Sequence, residues 1–172
     1  QLQDGKNIAL ITDAGTPGIS DPGEELVKMC YEAGITVTSL PGPVACITAL
    51  TISGLATRRF CFEGFLSMNK IGRREHLSEL VNEKRTMIFY DAPHKLLNTL
   101  KDMLEFFGDR EIAIVKELTK IHEEVIRTDF ASAIKRYSEE AIKGEIVLIV
   151  GGAAPEEAQA MTVEQAVRYA KD

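Results

Sequence analysis

Asn7-Ile8-Ala9-Leu10-Ile11-Thr12-Asp13-Ala14-Gly15-Thr16-Pro17-Gly18-Ile19-Ser20-Asp21-Pro22-Gly23 passes from an apolar stretch, through a glycine- and proline-rich loop, to the edge of a helical pattern. Its first part has the length and composition of a buried strand. Gly15 and Gly18 let the backbone approach a ligand closely, and Pro17 stiffens the loop. Asp21-Pro22 offers an N-cap followed by a first helical residue. Strand, loop and helix in that order form the unit of an α/β sheet, and open α/β sheets take their ligands at the carboxyl ends of strands. The same residues also suit a tight turn in which Asp13 bonds its own backbone amides, and spacing leaves both readings open.

The alternation continues outward. The first helix carries Leu26, Met29, Cys30 and Ala33 and ends at Gly34; a strand over 35–40, the turn Pro41-Gly42-Pro43 and a helix from 44 to about 53 follow. Thr57-Arg58-Arg59 reads as a linker. Beyond it the pattern predicts a strand over 60–65, a basic loop with Lys70, Arg73 and Arg74, a helix over 75–83 and a strand over 86–90. A helix over 94–107, strands over 112–116 and 123–127, a helix capped by Asp129 and a last strand over 145–150 complete it. Thr162 with Gln165 is a capping-box pattern for a short tail helix.

The expected architecture is therefore α/β in two units. Residues 1–57 supply the second half of a parallel-sheet domain, 58–153 a complete mixed-sheet α/β domain, and 154–172 a tail. Two strands and two helices cannot cover a parallel sheet on both faces, so the reading expects further strands of the first unit upstream.

Composition narrows the function classes. The chain has 172 residues, 45% hydrophobic and 27% charged, which suits a soluble globular protein. No apolar run approaches the roughly 20 residues of a membrane helix, and no secretory signal is seen, so a cytoplasmic protein is expected. Cys30, Cys46 and Cys61 are widely spaced and read as buried thiols, with no zinc or other metal set among them. The net charge of −6 does not advertise a nucleic-acid binder, although binding depends on local patches. Gly18 and Gly23 have phosphate-loop spacing, but Glu24-Glu25 follow where Lys and Ser/Thr are needed. Gly18-Ile19-Ser20-Asp21-Pro22 lacks the second glycine of a nucleophile elbow.

Taken alone, Leu40-Pro41-Gly42-Pro43-Val44-Ala45 is a strand-to-helix turn. Continued through Cys46-Ile47-Thr48-Ala49-Leu50 to Ser53-Gly54-Leu55, it resembles a segment of the tetrapyrrole (corrin/porphyrin) methylase superfamily. The loop from Asp13 to Gly23 is similar to that of the superfamily's small-subunit ribosomal RNA ribose 2′-O-methyltransferases. The runs Phe89-Tyr90-Asp91-Ala92-Pro93-His94-Lys95, Lys116-Glu117-Leu118-Thr119-Lys120-Ile121-His122-Glu123 and Lys143-Gly144-Glu145-Ile146-Val147 resemble the same branch. Val44 departs from it, standing where many relatives carry a small hydroxyl residue, and Ser67-Met68-Asn69 replaces a more basic loop.

The resemblance implies a two-domain class III methyltransferase with S-adenosylmethionine folded into the cleft between domains. It places Asp13, Ala14, Gly15, Thr16 and Pro17 with Pro41, Gly42, Pro43 and Ala45 on one wall, and Tyr90 and Glu145 on the other. The implied reaction is methylation of a cytidine ribose 2′-hydroxyl in 16S rRNA, on free RNA or the small ribosomal subunit, by a homodimer. A weak hydroxyl nucleophile benefits from a base, for which Glu117 and Lys120 are the candidates; an ion pair in domain packing is the other reading of Glu117. Lys70, Arg73, Arg74 and Lys95 are the candidates for RNA phosphates, against a plain solvated face. A corrin or porphyrin methylase, or a truncated and non-catalytic chain, are the alternatives.

Overall fold

The structure is a computed structural model and describes residues 1–154, so the expected tail helix lies outside the described residues. Five strands form one mixed sheet in the order β1-β2-β5-β3-β4. They are β1 (Phe60–Phe65), β2 (Thr86–Asp91), β3 (Glu111–Lys116), β4 (Glu124–Asp129) and β5 (Ile146–Val150). β1 pairs with β2 in parallel, whereas β2–β5, β5–β3 and β3–β4 are antiparallel. The expectation of a mixed-sheet α/β unit is met.

The helices are α1 (Glu24–Glu32), α2 (Ala45–Ser53), α3 (Lys70–Glu79), α4 (Pro93–Phe107) and α5 (Phe130–Glu139). Strand alternation sorts the core into two layers. Met87, Phe89, Ile112, Ile114 and Leu148 join Leu77 of α3, Leu96, Leu100 and Met103 of α4, and Phe130 and Ala133 of α5. On the opposite face Ile88, Ala113, Val115, Val147 and Ile149 meet Cys46, Ala49 and Leu50 of α2. Covered on both sides, β5 reads Ile-Val-Leu-Ile-Val without a polar break, and every residue is buried. Each such side chain contributes about 1.5–3 kcal/mol by leaving water.

α2 lies at the junction of the two parts of the chain, held at both ends. Gly54 ends it in the left-handed conformation at φ +83°. There the Arg127 guanidinium of β4 donates to the carbonyls of Ser53 (2.9 Å) and Ile52 (2.5 Å). A methyl group on Gly54 would stand 2.9 Å from Arg127 Nε, so glycine also makes room for this clamp.

Three expectations are corrected. The apolar runs at 7–12 and 35–40 form no ladder; among the described residues the sheet contains only β1 to β5. A strand persists through hydrogen bonds to a neighbour, and without one Ile11 and Leu40 stand 83% and 82% exposed. The helix expected over 75–83 instead begins at Lys70, because Asn69 Oδ1 accepts the Ile71 amide at 3.0 Å and caps it earlier. The Asp21-Pro22 start is also displaced: α1 opens at Glu24 after Gly23, and no side chain caps it.

Candidate active site

A cavity of about 450 Å³ opens where the sheet ends. Phe65, Tyr90, Asp91 and Val115 reach it from the carboxyl ends of β1, β2 and β3, and Glu145, Ile146 and Val147 from the start of β5. The far wall consists of Ala14, Gly15, Thr16, Ile19, Ser20 and Asp21, with Pro43, Val44, Ala45 and Thr48 at the head of α2. Leu118, Thr119 and Lys120 of the β3–β4 loop close the rim. This size lies within the range of small-molecule sites.

The two glycine- and proline-containing turns pack side by side. Thr16 Oγ1 donates to the Pro43 carbonyl at 3.1 Å, and a methyl group on Gly42 would lie 3.2 Å from that hydroxyl oxygen. Gly15 and Gly18 both have φ +83° and Ser20 φ +58°, so the loop turns through left-handed conformations that favour glycine. Thr12 Oγ1 donates to the Ala14 carbonyl at 2.8 Å and closes its entry.

Tyr90 links the walls. Its phenolic oxygen accepts the Cys46 amide at 3.1 Å, in the first turn of α2, whose N-cap residue Val44 supplies no side-chain acceptor. An oxygen from β2 thus does the work of an N-cap. Accepting that bond leaves the Tyr90 proton free to donate. Burial pushes the phenol up to about 12, so it stays protonated.

Glu117 lies beside the cavity and is engaged through one carboxylate oxygen. Its Oε1 accepts the Glu145 amide (2.8 Å) and the Lys120 ammonium (3.0 Å), while its own amide donates to the Glu145 carbonyl (2.9 Å). Glu117 takes φ +50°, and Gly144 opposite takes φ +90°, where a methyl group would collide with the Glu117 carboxyl. The Glu145 amide and then Lys120 hold the Glu117 carboxyl below its usual range, which makes it a poor proton acceptor. Lys120, also bonded to Glu145 Oε2 at 3.1 Å, is held above its ordinary value by Glu117 and Glu145 and is a fixed cation.

Of the residues singled out in the sequence, Ala14, Gly15, Thr16, Pro43, Ala45, Tyr90, Glu145 and Lys120 line the cavity. Asp13, Pro17, Pro41, Gly42 and Glu117 are not among the lining residues. The basic candidates are dispersed. Arg73 is bound to Asp102 at 2.6 Å and Arg74 pairs with Glu105 at 2.5 Å while lying over Phe106, so both join α3 to α4. Lys70 is exposed, and Lys95 is half-buried close to Asp91.

Asp91 and Phe65 had no assigned role in the sequence reading. Asp91 Oδ1 accepts the Ala92 amide at 2.8 Å, while Oδ2 is buried without a partner. Burial pushes its carboxyl up, against the pull of the Ala92 amide, Thr99, Lys95 and His94. Among the described residues no group of three or more His, Cys, Asp or Glu side chains could hold a metal ion. None of the described helices is long and apolar enough to cross a membrane.

A solved structure shares the fold. The methyltransferase CobJ superposes with a TM-score of 0.62 at 20% identity, over 81% of this chain and 62% of that one, so the two chains have the same α/β fold. The model of the Tetrapyrrole (Corrin/Porphyrin) Methylases matches residues 1–134, and the chain belongs to that family. The ribosomal RNA small subunit methyltransferase I of Synechocystis is 50% identical over 165 residues, covering 95% of this chain and 59% of the relative. The Bacillus subtilis protein of the same name is 47% identical over 156 residues, covering 91% and 53%. The chain thus spans little more than half the length of these relatives.

Proposed function

We propose that the protein is an S-adenosylmethionine-dependent methyltransferase that methylates a cytidine ribose 2′-hydroxyl in 16S rRNA, free or within the small subunit, as a cytoplasmic homodimer. The observation that carries the reading is the cavity at the strand ends, walled by two interlocked glycine- and proline-containing turns and faced by a protonated phenol. The names of its relatives support ribosomal RNA of the small subunit as the acceptor, and the cytidine 2′-hydroxyl comes from the resemblance of the Asp13 to Gly23 loop.

The residues fit such a donor. The cavity is large enough for a folded small molecule, Gly15 opens the wall to backbone contact, and Tyr90 keeps a proton to donate. Ala14, Gly15, Thr16, Pro43, Ala45, Tyr90 and Glu145 would hold it, with Asp13, Pro17, Pro41 and Gly42 supporting that wall. When bound, the sulfonium would supply an electrophilic methyl group. The task left to the protein is positioning and exclusion of water. Thr16 fixes one turn against the other; Tyr90 fixes α2 against the sheet; the Glu117–Lys120–Glu145 cluster holds the rim loop. Glu117 acts in this account through Lys120 and the Glu145 amide, as a positioning group.

Methyl transfer from labelled donor to small subunits and to naked 16S transcript, followed by nuclease mapping of the product, tests the reading. A 2′-O-methylcytidine is expected. Transfer confined to a tetrapyrrole would refute it.

A further inference from the structure

Phe62 and Phe65 are three positions apart, an odd interval, which in a regular strand places them on opposite faces. In β1 they share one. The pairing runs Phe62↔Ile88 and then Gly64↔Phe89, so the strand bulges by one residue, and Gly64 takes φ +64° there. Glu63, the extra residue, bonds instead to His76 at 3.0 Å. Both rings consequently meet Tyr90 edge to face, Phe62 at 4.9 Å and Phe65 at 5.4 Å between centroids. Bulges beside functional sites commonly re-aim a side chain in this way. Phe62 packs against the apolar cluster under α2, but Phe65 lines the cavity and remains 57% exposed. Lys95, in the first turn of α4 and close enough to pull on the Asp91 carboxyl, adds a positive charge at the same strand end.

We propose that Phe65 is a stacking face for an unpaired nucleobase of the acceptor RNA at the mouth of the cavity. The inference rests on the RNA reading given above. A ribose entering the cavity from a single-stranded segment would bring its base to the mouth, and proteins receive unstacked bases on aromatic rings, with cations placed for the phosphates. Stacking on a ring is tolerant of base identity, so Phe65 contributes grip and position rather than choice of cytidine. Adenine in the donor has the same chemistry, and the experiment separates the two sources.

Phe65→Ala and Phe65→Trp are made in the full-length protein. Initial rates of methylation against RNA concentration are measured together with calorimetric affinity for S-adenosylhomocysteine and thermal melting. Phe65→Ala raises KM for RNA about 5- to 150-fold, with product affinity and melting temperature unchanged, and Phe65→Trp restores KM. Weakened S-adenosylhomocysteine binding at unchanged KM overturns the proposal and assigns the ring to the donor's adenine. An unchanged KM with unchanged affinity, or a lowered melting temperature that accounts for both losses, also overturns it. Failure of the wild type to methylate RNA refutes the proposed function itself and is visible before any variant is compared.

Discussion

Tyr90→Phe removes one oxygen and leaves the ring, so its two edge-to-face contacts persist while the Cys46 amide loses its acceptor. That amide lies in the first turn of α2, and Val44 cannot replace the bond. Loss of an N-cap acceptor costs about 1 kcal/mol. For a chain of this size that lowers the melting temperature by about 2–4 °C. The phenol adds a pH signature. Its folded value is raised from 10.0 to about 12, so the folded state keeps a proton that the unfolded state has released. The associated stability is complete below pH 10 and is lost as pH rises toward 12. Phe has no such proton, so the gap between wild type and variant is largest near neutrality and narrows through that window. Cys61, also raised to about 12 by burial, titrates in both proteins and cancels in the difference. Urea unfolding at pH 7 and at several values above 10 measures this, with S-adenosylhomocysteine calorimetry beside it to report a loosened α2 wall. Equal stability at pH 7 refutes the capping argument, and a gap that stays constant up to pH 12 refutes the raised phenol.

Arg127→Ala withdraws both donors from the carboxyl end of α2 and is expected to cost about 1.5 kcal/mol by chemical denaturation, the low end for charged donors because the site is partly wet. Gly144→Ala meets both the left-handed backbone and the Glu117 carboxyl, and is expected to destabilise by about 1–3 kcal/mol in the same measurement; its loosened rim loop should show as faster amide exchange over 117–123. Asp91→Asn keeps an oxygen for the Ala92 amide and removes a charge that burial disfavours. Since the folded carboxyl is raised, wild-type stability from this group is present below the ordinary carboxylate range and lost as pH rises through the folded value. The variant should therefore gain on wild type between pH 3.8 and neutrality, and a constant difference over that range would contradict the assigned burial.

What could be read in the sequence is what depends on local chemistry. β5 is buried on both faces and shows it as an unbroken apolar run; Gly34, Gly54 and Gly108 stop their helices; Asp129 caps α5 through the Ser132 amide. The approach of the Asp13 and Pro41 segments was expected from the family pattern and is visible as the Thr16–Pro43 bond. What escaped depends on partners. The runs at 7–12 and 35–40 have strand composition, but composition does not supply the neighbouring strand that makes a ladder. Arg73 and Arg74 look like a phosphate cluster until α4 brings Asp102 and Glu105 against them. Phe65 was hidden for another reason: strict alternation places it opposite Phe62, and only the shift at Gly64 brings both onto Tyr90.

The departure at Val44 and the position of Tyr90 bear on one question, namely how a helix without its own cap can be a precise wall. A hydroxyl at the N-cap would satisfy the first turn of α2 from within the turn itself, independently of the sheet. With valine there, the acceptor comes from β2, so the head of α2 is ordered only when it is docked on the sheet. Arg127 of β4 ties the other end of the same helix. Between these ties Cys46, Ala49 and Leu50 press into the apolar layer. The Pro43–Ala45 wall is thereby referenced to the strands that carry Tyr90, Val115 and Val147, rather than to the open loop preceding it. On this arrangement Val44→Ser should restore a local cap and make the Tyr90→Phe defect smaller. The double variant would lose less than the sum of the single changes, and strict additivity would show that the phenol oxygen contributes nothing to holding α2.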